Sequence, residues 1–223
     1  MNICVIIPAH NEACTIGYLV ESLLKKNFDV VVIDDGSQDE TGAISREKGA
    51  CVLNHIDKKG KGYSLREGFQ YALKHGYEAV VTMDGDGQHD VNGIDRFLAQ
   101  AQKNKVSVIV GNRMIDPKGM PFVRLCTNRF MSWLISLVCR QRIADTQCGF
   151  RYIHCGILKQ IDLVSRDFEI ETEILMQACK KGFKVFNVPV KSIYRDEKSM
   201  INPFKDTIRF FVYFMKEICS LKR

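Results

Sequence analysis

The feature that most constrains this chain is the order in which short apolar runs alternate with polar turns and helical patterns. Residues 3–7, 30–33, 51–54, 77–82 and 106–110 are each short and apolar, as buried strands are. Between them lie segments of helical periodicity: Ile16, Leu19, Val20, Leu23 and Leu24 share one face, and residues 94–103 repeat the pattern. Five strands with intervening helices predict an α/β fold, a doubly wound and mostly parallel sheet with helices on both faces, because parallel neighbours need a crossover connection. In such sheets ligands bind at the carboxyl ends of the strands. The polar residues that end each apolar run are therefore the first candidates for function.

The richest of these ends is Met83-Asp84-Gly85-Asp86-Gly87-Gln88-His89-Asp90. In an extended segment residues i, i+2 and i+4 point to one side, so Asp84, Asp86 and Gln88 converge. Two carboxylates and an amide suit a hard cation, Mg2+ or Mn2+, which takes further oxygen ligands from a phosphate. The glycines admit a diphosphate close to the backbone. A polar Gly-Asp turn that binds nothing is the alternative.

The other ends are also polar. The first is Pro8-Ala9-His10-Asn11-Glu12, and the second is Asp34-Asp35-Gly36-Ser37-Gln38-Asp39-Glu40-Thr41. A carboxylate there suits a nucleobase or ribose hydroxyls, whereas Asp39 is better placed to cap the next helix. The third leads into Lys58-Lys59-Gly60-Lys61-Gly62, a basic glycine turn opening a helix, where phosphate is attracted. It lacks Walker A spacing.

Charge divides the chain. Residues 1–111 carry 12 Lys+Arg against 15 Asp+Glu, and residues 112–223 carry 20 against 11. A basic second half beside an acidic cluster points to anionic partners. Nucleic acid is excluded for want of a recognition helix or stacking platform. The nine cysteines show no CxxC pair or zinc-like spacing, which fits reduced thiols. No leader pattern opens the chain and no apolar run approaches the ~20 residues of a spanning helix. The expectation is a cytoplasmic protein, peripherally associated with the cytoplasmic face of a membrane.

The second half reads as a loop with Pro117, Gly119 and Pro121, a helix over 122–138, a strand-like segment over 144–153, a helix opened by residues 167–173, and an extended segment over 183–194. The remainder, from residue 202, is a basic amphipathic helix with Phe204, Ile208, Phe211, Val212 and Met215 on one side. It is taken to lie on an anionic membrane surface; packing on the domain or on a second subunit, as a homo-oligomer, is the alternative. The domains are thus a catalytic unit over 1–199 and this helix over 200–223.

Together these motifs resemble the family 2 inverting glycosyltransferases, in the dolichol-phosphate mannose/glucose synthase-like branch. The matching stretches are residues 8–12, 34–41, 59–68, 84–89, 111–113, 128–129, 145–151 and 168–171, in the family's order. The resemblance implies a GT-A fold, a nucleotide-sugar donor (a UDP- or GDP-sugar), Mg2+ or Mn2+, and a polyprenyl-phosphate acceptor. By position it implies that Pro8, Ala9, Glu12, Asp34 and Asp35 hold the nucleoside, and that Asp84, Asp86 and Gln88 hold the metal on the diphosphate. Lys61 adds charge there. Arg113, Arg129 and Arg195 fall where that family places basic residues near phosphate, and guanidinium forks grip phosphate oxygens in pairs. With Asp86, Arg113 and Arg129, Asp145 completes the expected catalytic set, as an acceptor-positioning group, a backbone partner or a base. A phosphate acceptor is already anionic; a hydroxyl acceptor needs a base, for which Asp145 and Glu169 are the candidates. Transfer to a saccharide hydroxyl, and a nucleotide-sugar-binding protein without activity, stand as the alternative readings.

Overall fold

The computed structural model describes residues 1–104, 106–117 and 119–193. Seven strands form one sheet: β1 (Ile3–Ala9), β2 (Asp29–Asp34), β3 (Cys51–Asn54), β4 (Ala79–Thr82), β5 (Val108–Asn112), β6 (Arg151–His154) and β7 (Val185–Pro189). Their spatial order is β3-β2-β1-β4-β6-β5-β7. The pairs β1/β2, β1/β4, β2/β3 and β5/β7 are parallel, whereas β6 is antiparallel to both β4 and β5. The expected mostly parallel α/β sheet is present, and β6 is the exception.

That exception positions the site. Six strands deliver their C-terminal ends to one edge, and a strand running the other way delivers its N-terminal loop there instead. Thr82 of β4 and Val110 of β5 are both registered with Arg151, the first residue of β6. The loop 145–150 therefore meets the end of β4, where Asp84 begins.

The helices are α1 (Ala13–Leu24), α2 (Thr41–Glu47), α3 (Lys61–Lys74), α4 (Ile94–Lys103), α5 (Phe122–Cys139), the short α6 (Cys155–Leu158) and α7 (Ile170–Lys180). α1 packs on α2, while α3 touches α6 and α7, and α5 packs on α7. With helices on both faces, the central strands are buried on both sides and read as near-continuous apolar runs. α3 lies unusually close to the sheet because Gly68 has no side chain: a Cβ there would stand 2.5 Å from Ile6 Cγ2.

Asp39 does more than cap one helix. Its carboxylate accepts the N–H of Thr41 at the start of α2 (3.0 Å) and that of Ala13 at the start of α1 (3.1 Å), tying two helix N-termini together. Among the described residues eight cysteines are free, and four of them are buried. Burial pushes the Cys4 thiol up to about 12, so it stays protonated and inert.

Candidate active site

Three close contacts gather the strand ends. Asp35 N–H donates to Ala9 O (2.8 Å), joining the loops after β1 and β2. Thr15 Oγ1 in the first turn of α1 donates to Gly85 O (2.6 Å), joining α1 to the acidic motif. Gly85 itself sits so that a Cβ would lie 3.3 Å from both Ala9 Cβ and Glu12 Cγ. Pro8, Ala9, Glu12, Asp34, Asp35, Asp84 and Asp86 thus come to one edge, as the sequence led us to expect.

Lys61 is the centre of the arrangement. It is the first residue of α3, a position where the helix dipole disfavours a cation. Two carboxylates offset that cost: Nζ lies 2.6 Å from Asp84 Oδ1 and 2.7 Å from Glu171 Oε1, and it also stands over the Phe168 ring. Burial alone would lower its pKa, but Asp84 and Glu171 outweigh burial and raise it, so the ammonium is permanent. Asp84 answers in kind: burial would raise its pKa, yet Lys61 and then His89, 3.4 Å away, hold it well below the usual carboxylate range.

Two walls hold Lys61 in place. Gly60 and Gly62 let α3 start directly against the loop 165–167; a Cβ on Gly62 would stand 2.7 Å from Ser165 O. That loop is clamped by buried Glu173, which accepts the N–H groups of Val164 (3.0 Å) and Ser165 (2.9 Å). Below, the fully buried Arg151 donates Nε to Cys148 O (2.7 Å), one terminal nitrogen to Thr146 O (2.7 Å) and the other to Glu171 O. One guanidinium therefore holds both the loop before β6 and the start of α7. Neither Arg151, Glu171 nor Glu173 was singled out from sequence for these duties; the signal available was that Arg151 and Glu171 close two of the matching stretches, 145–151 and 168–171.

Asp86 differs from Asp84. Burial, and then the neighbouring Asp84 charge, raise its pKa. It accepts the N–H of Gln88 (2.9 Å), and Gln88 O accepts the N–H of Ile193 (2.9 Å). Asp84, Asp86 and Glu171 bring three negative charges against two, from Lys61 and from the buried Arg151. The remaining excess of negative charge and the oxygen-bearing side chains of Asp84, Asp86 and Gln88 suit a divalent cation with a diphosphate, and Gly149 lets the Asp84 carboxylate pack against the loop before β6, since a Cβ there would stand 2.6 Å from Asp84 Oδ2. Among the described residues there is no group of three or more His, Cys, Asp or Glu able to hold a metal by themselves.

Arg113 and Asp145 find each other. Asp145 is fully buried; it accepts Arg113 Nε (2.7 Å), a terminal Arg113 nitrogen (2.9 Å) and the Arg113 backbone N–H (3.2 Å). Of the roles open to Asp145, the structure shows the backbone bond, with an ion pair added to it. Arg129 is exposed on α5, one residue after buried Asn128, whose Nδ2 has no partner. Arg195 and the amphipathic segment from residue 202 lie outside the described residues.

With this geometry in hand, the chain can be placed. Its sheet is that of the GT-A fold. Residues 4–162 match the family model "Glycosyl transferase family 2", and the chain belongs to that family. It is 32% identical over 200 residues to an uncharacterised protein of Methanocaldococcus jannaschii, covering 87% of this chain and 82% of the relative. It is 28% identical over 235 residues to the UDP-N-acetylglucosamine–dolichyl-phosphate N-acetylglucosaminyltransferase of Methanococcus voltae, covering 95% and 93%. Glucosyl-3-phosphoglycerate synthase from Mycobacterium tuberculosis, solved with Mn2+, UDP and glucosyl-3-phosphoglycerate, superposes with a TM-score of 0.72 at 16% identity, over 98% of this chain and 79% of that one. At that identity the likeness speaks for the fold.

Proposed function

We propose that this glycosyltransferase moves a hexose from a UDP- or GDP-sugar to a polyprenyl phosphate with inversion at the anomeric carbon. The observation that carries the reading is the Lys61 ammonium held between Asp84 and Glu171 beside Asp86, at the edge where Asp34 and Asp35 also end. A nucleoside fits the second strand end, and its diphosphate fits the Lys61 end. A bound Mg2+ or Mn2+, held by Asp84, Asp86 and Gln88, would supply charge neutralisation to the departing diphosphate.

The step itself is one displacement. An acceptor phosphate oxygen attacks the anomeric carbon, the bond from that carbon to the diphosphate oxygen breaks, and the nucleoside diphosphate leaves with the electron pair. Lys61 stabilises charge on the leaving group from a fixed position, which costs no reorganisation as charge develops. The acceptor phosphate is an anion at neutral pH and needs no base, in keeping with an Asp145 whose two oxygens are engaged by Arg113. Arg129, exposed on α5, is proposed to grip the acceptor phosphate, with Arg113 shaping the same wall and Arg195 a further candidate outside the described residues.

α5 also supports an approach to lipid. Phe122, Val123, Phe130, Trp133 and Leu137 are all at least half exposed along it, with Arg124 and Arg129 among them. An apolar stripe edged by arginines suits an anionic membrane surface. Among the described residues no helix is long and apolar enough to cross a membrane. The M. voltae relative, whose name states a dolichyl-phosphate acceptor, points the same way.

Transfer to a hydroxyl is the second reading, and Glu169 favours it: its buried Oε2 has no hydrogen-bond partner and is chemically able to take a proton. Purified protein incubated with a panel of UDP- and GDP-sugars decides between them. Release of nucleoside diphosphate that rises only when polyprenyl phosphate is added supports the proposal. Release stimulated by saccharides and indifferent to the lipid phosphate overturns it.

A further inference from the structure

One buried titratable cluster has no part in the displacement step. His55 follows β3, and its side chain is 2% exposed. Its Nδ1 lies 2.8 Å from Asp35 Oδ1 and its Nε2 lies 2.5 Å from Glu67 Oε2 on α3. The ring edge packs on Tyr63, with centroids 5.3 Å apart. A neutral imidazole carries one N–H, and an ionised carboxylate only accepts. One neutral ring cannot bond to both, so the two contacts require a second proton, on the ring or shared with a carboxyl group.

The cluster reaches further than an isolated ion pair. Asp35 Oδ1 also accepts the N–H of Lys59 (2.8 Å), and Oδ2 accepts that of Gly60 (2.9 Å). These donors outweigh the effect of burial on Asp35 and lower its pKa, so it is held as an anion. The N–H of His55 itself donates to Asp34 O (2.9 Å). His55 therefore joins the end of β2, the loop 55–60 and the second turn of α3. Asp35 has no rotational freedom left: each oxygen is pinned from a different direction. Glu67, whose side chain is 38% exposed, closes the cluster on the solvent side.

We propose that His55, backed by Glu67, is a positioning residue for the nucleoside half of the donor site: it fixes the Asp35 carboxylate in the orientation that a nucleobase or ribose must meet. This rests on the nucleotide-sugar reading above. A purely structural cluster would support folding alike but leave the affinity of the folded protein unchanged.

The test is calorimetric titration of the full chain with UDP and with GDP in the presence of Mn2+, alongside melting temperatures. His55→Ala should weaken the preferred nucleotide by about tenfold or more, as loss of an orienting partner does. Combined with Asp35→Asn, it should cost no more than roughly twofold beyond Asp35→Asn alone, because coupled residues are not additive. A folded His55→Ala protein that binds within about twofold of wild type, or additive losses in the pair, overturns the proposal. Should His55→Ala fail to fold, Glu67→Gln decides: it retains an acceptor for Nε2–H but removes the charge, and a loss of about threefold without a lowered melting temperature is expected. Unchanged affinity in Glu67→Gln then overturns it. A wild type that binds neither nucleotide sinks the donor reading itself, and this proposal with it; wild-type binding with unaffected variants sinks this proposal alone.

Discussion

The edge built by β1 to β4 and the wall built by α5 handle polar and apolar groups in opposite ways. At the first, nearly every charged group has an internal partner: Asp35 has three, Lys61 has two, and Asp39 ties two helices. At the second, Arg129 and a run of large apolar side chains face outward, while Arg113 and Asp145 close on each other beneath. A site for a small, densely charged ligand must be preorganised, because each unpaired charge there would cost several kcal/mol. A site for a long apolar acceptor has no such need. On the proposed reading, the exposed apolar groups of α5 are left for the acceptor or its surrounding lipid to cover.

If that contrast is right, changes on the first side should damage chemistry and changes on the second should divide between stability and acceptor use. The largest effect belongs to Asp86→Ala. It should reduce kcat by about 10³-fold or more through loss of leaving-group stabilisation, with a melting temperature near wild type, since Asp86 is half-buried in a loop. Steady-state kinetics with thermal unfolding checks it, and EDTA should reproduce the loss in the wild type.

Next is the Arg113–Asp145 pair, which should behave as structure first. Asp145→Ala leaves a buried guanidinium without its carboxylate and should cost about 3–5 kcal/mol of stability. Replacing both partners, as Arg113→Met with Asp145→Leu, should cost clearly less than the single change. Urea unfolding of the three proteins measures this. Equal losses in single and double variants would dissolve the pair as a unit.

A smaller effect concerns pH. Asp35 has its pKa lowered in the folded state, against burial, by Lys59 N–H, His55 and Gly60 N–H. A depressed acid stabilises the fold above its unfolded value, ordinarily about pH 4, and that contribution fades as pH falls through the folded value. Asp35→Asn should therefore be less stable than wild type by about 1–3 kcal/mol at neutral pH. The gap should narrow below about pH 4. Denaturation at several pH values checks the sign.

The smallest effect on the fold belongs to Arg129→Ala, because the residue is exposed: stability should change by less than about 0.5 kcal/mol. Yet kcat/KM for the acceptor should fall by about tenfold, with donor KM unchanged, and Arg129→Lys should recover only part of it. Wild-type kinetics in both would make Arg129 an ordinary surface residue.

The same division governs what could be read from the sequence. β3 was legible to the residue, since the short run 51–54 ends where the basic glycine turn 58–62 follows. β4 starts at Ala79, two residues later than the apolar pattern, because Tyr77 turns its hydroxyl to Asp29 and Glu78 N–H bonds Asn2 O. β5 is displaced to Val108–Asn112: Val106 is exposed, and the ladder continues through Gly111 and Asn112 to pair with Val188 and Pro189. Of the strand-like segment 144–153 only the last part is strand, because Thr146 and Cys148 turn their carbonyls to the Arg151 guanidinium. The residues proposed for the donor could be read as neighbours because strand ends deliver them to one edge. The partners were not: Lys61 and Glu171 are 110 positions apart, and no local spacing announces a contact made by a loop clamped from elsewhere.

The most direct test follows the sugar itself. Protein is incubated with labelled UDP- or GDP-hexose, Mn2+ and polyprenyl phosphate, and the label is partitioned between water and organic solvent. The account predicts label in the organic phase as a sugar phosphodiester of inverted anomeric configuration, dependent on the lipid phosphate and abolished by EDTA or Asp86→Ala. Label that stays in water as free or oligomeric sugar, or that reaches the lipid equally well in the Asp86→Ala protein, would contradict it.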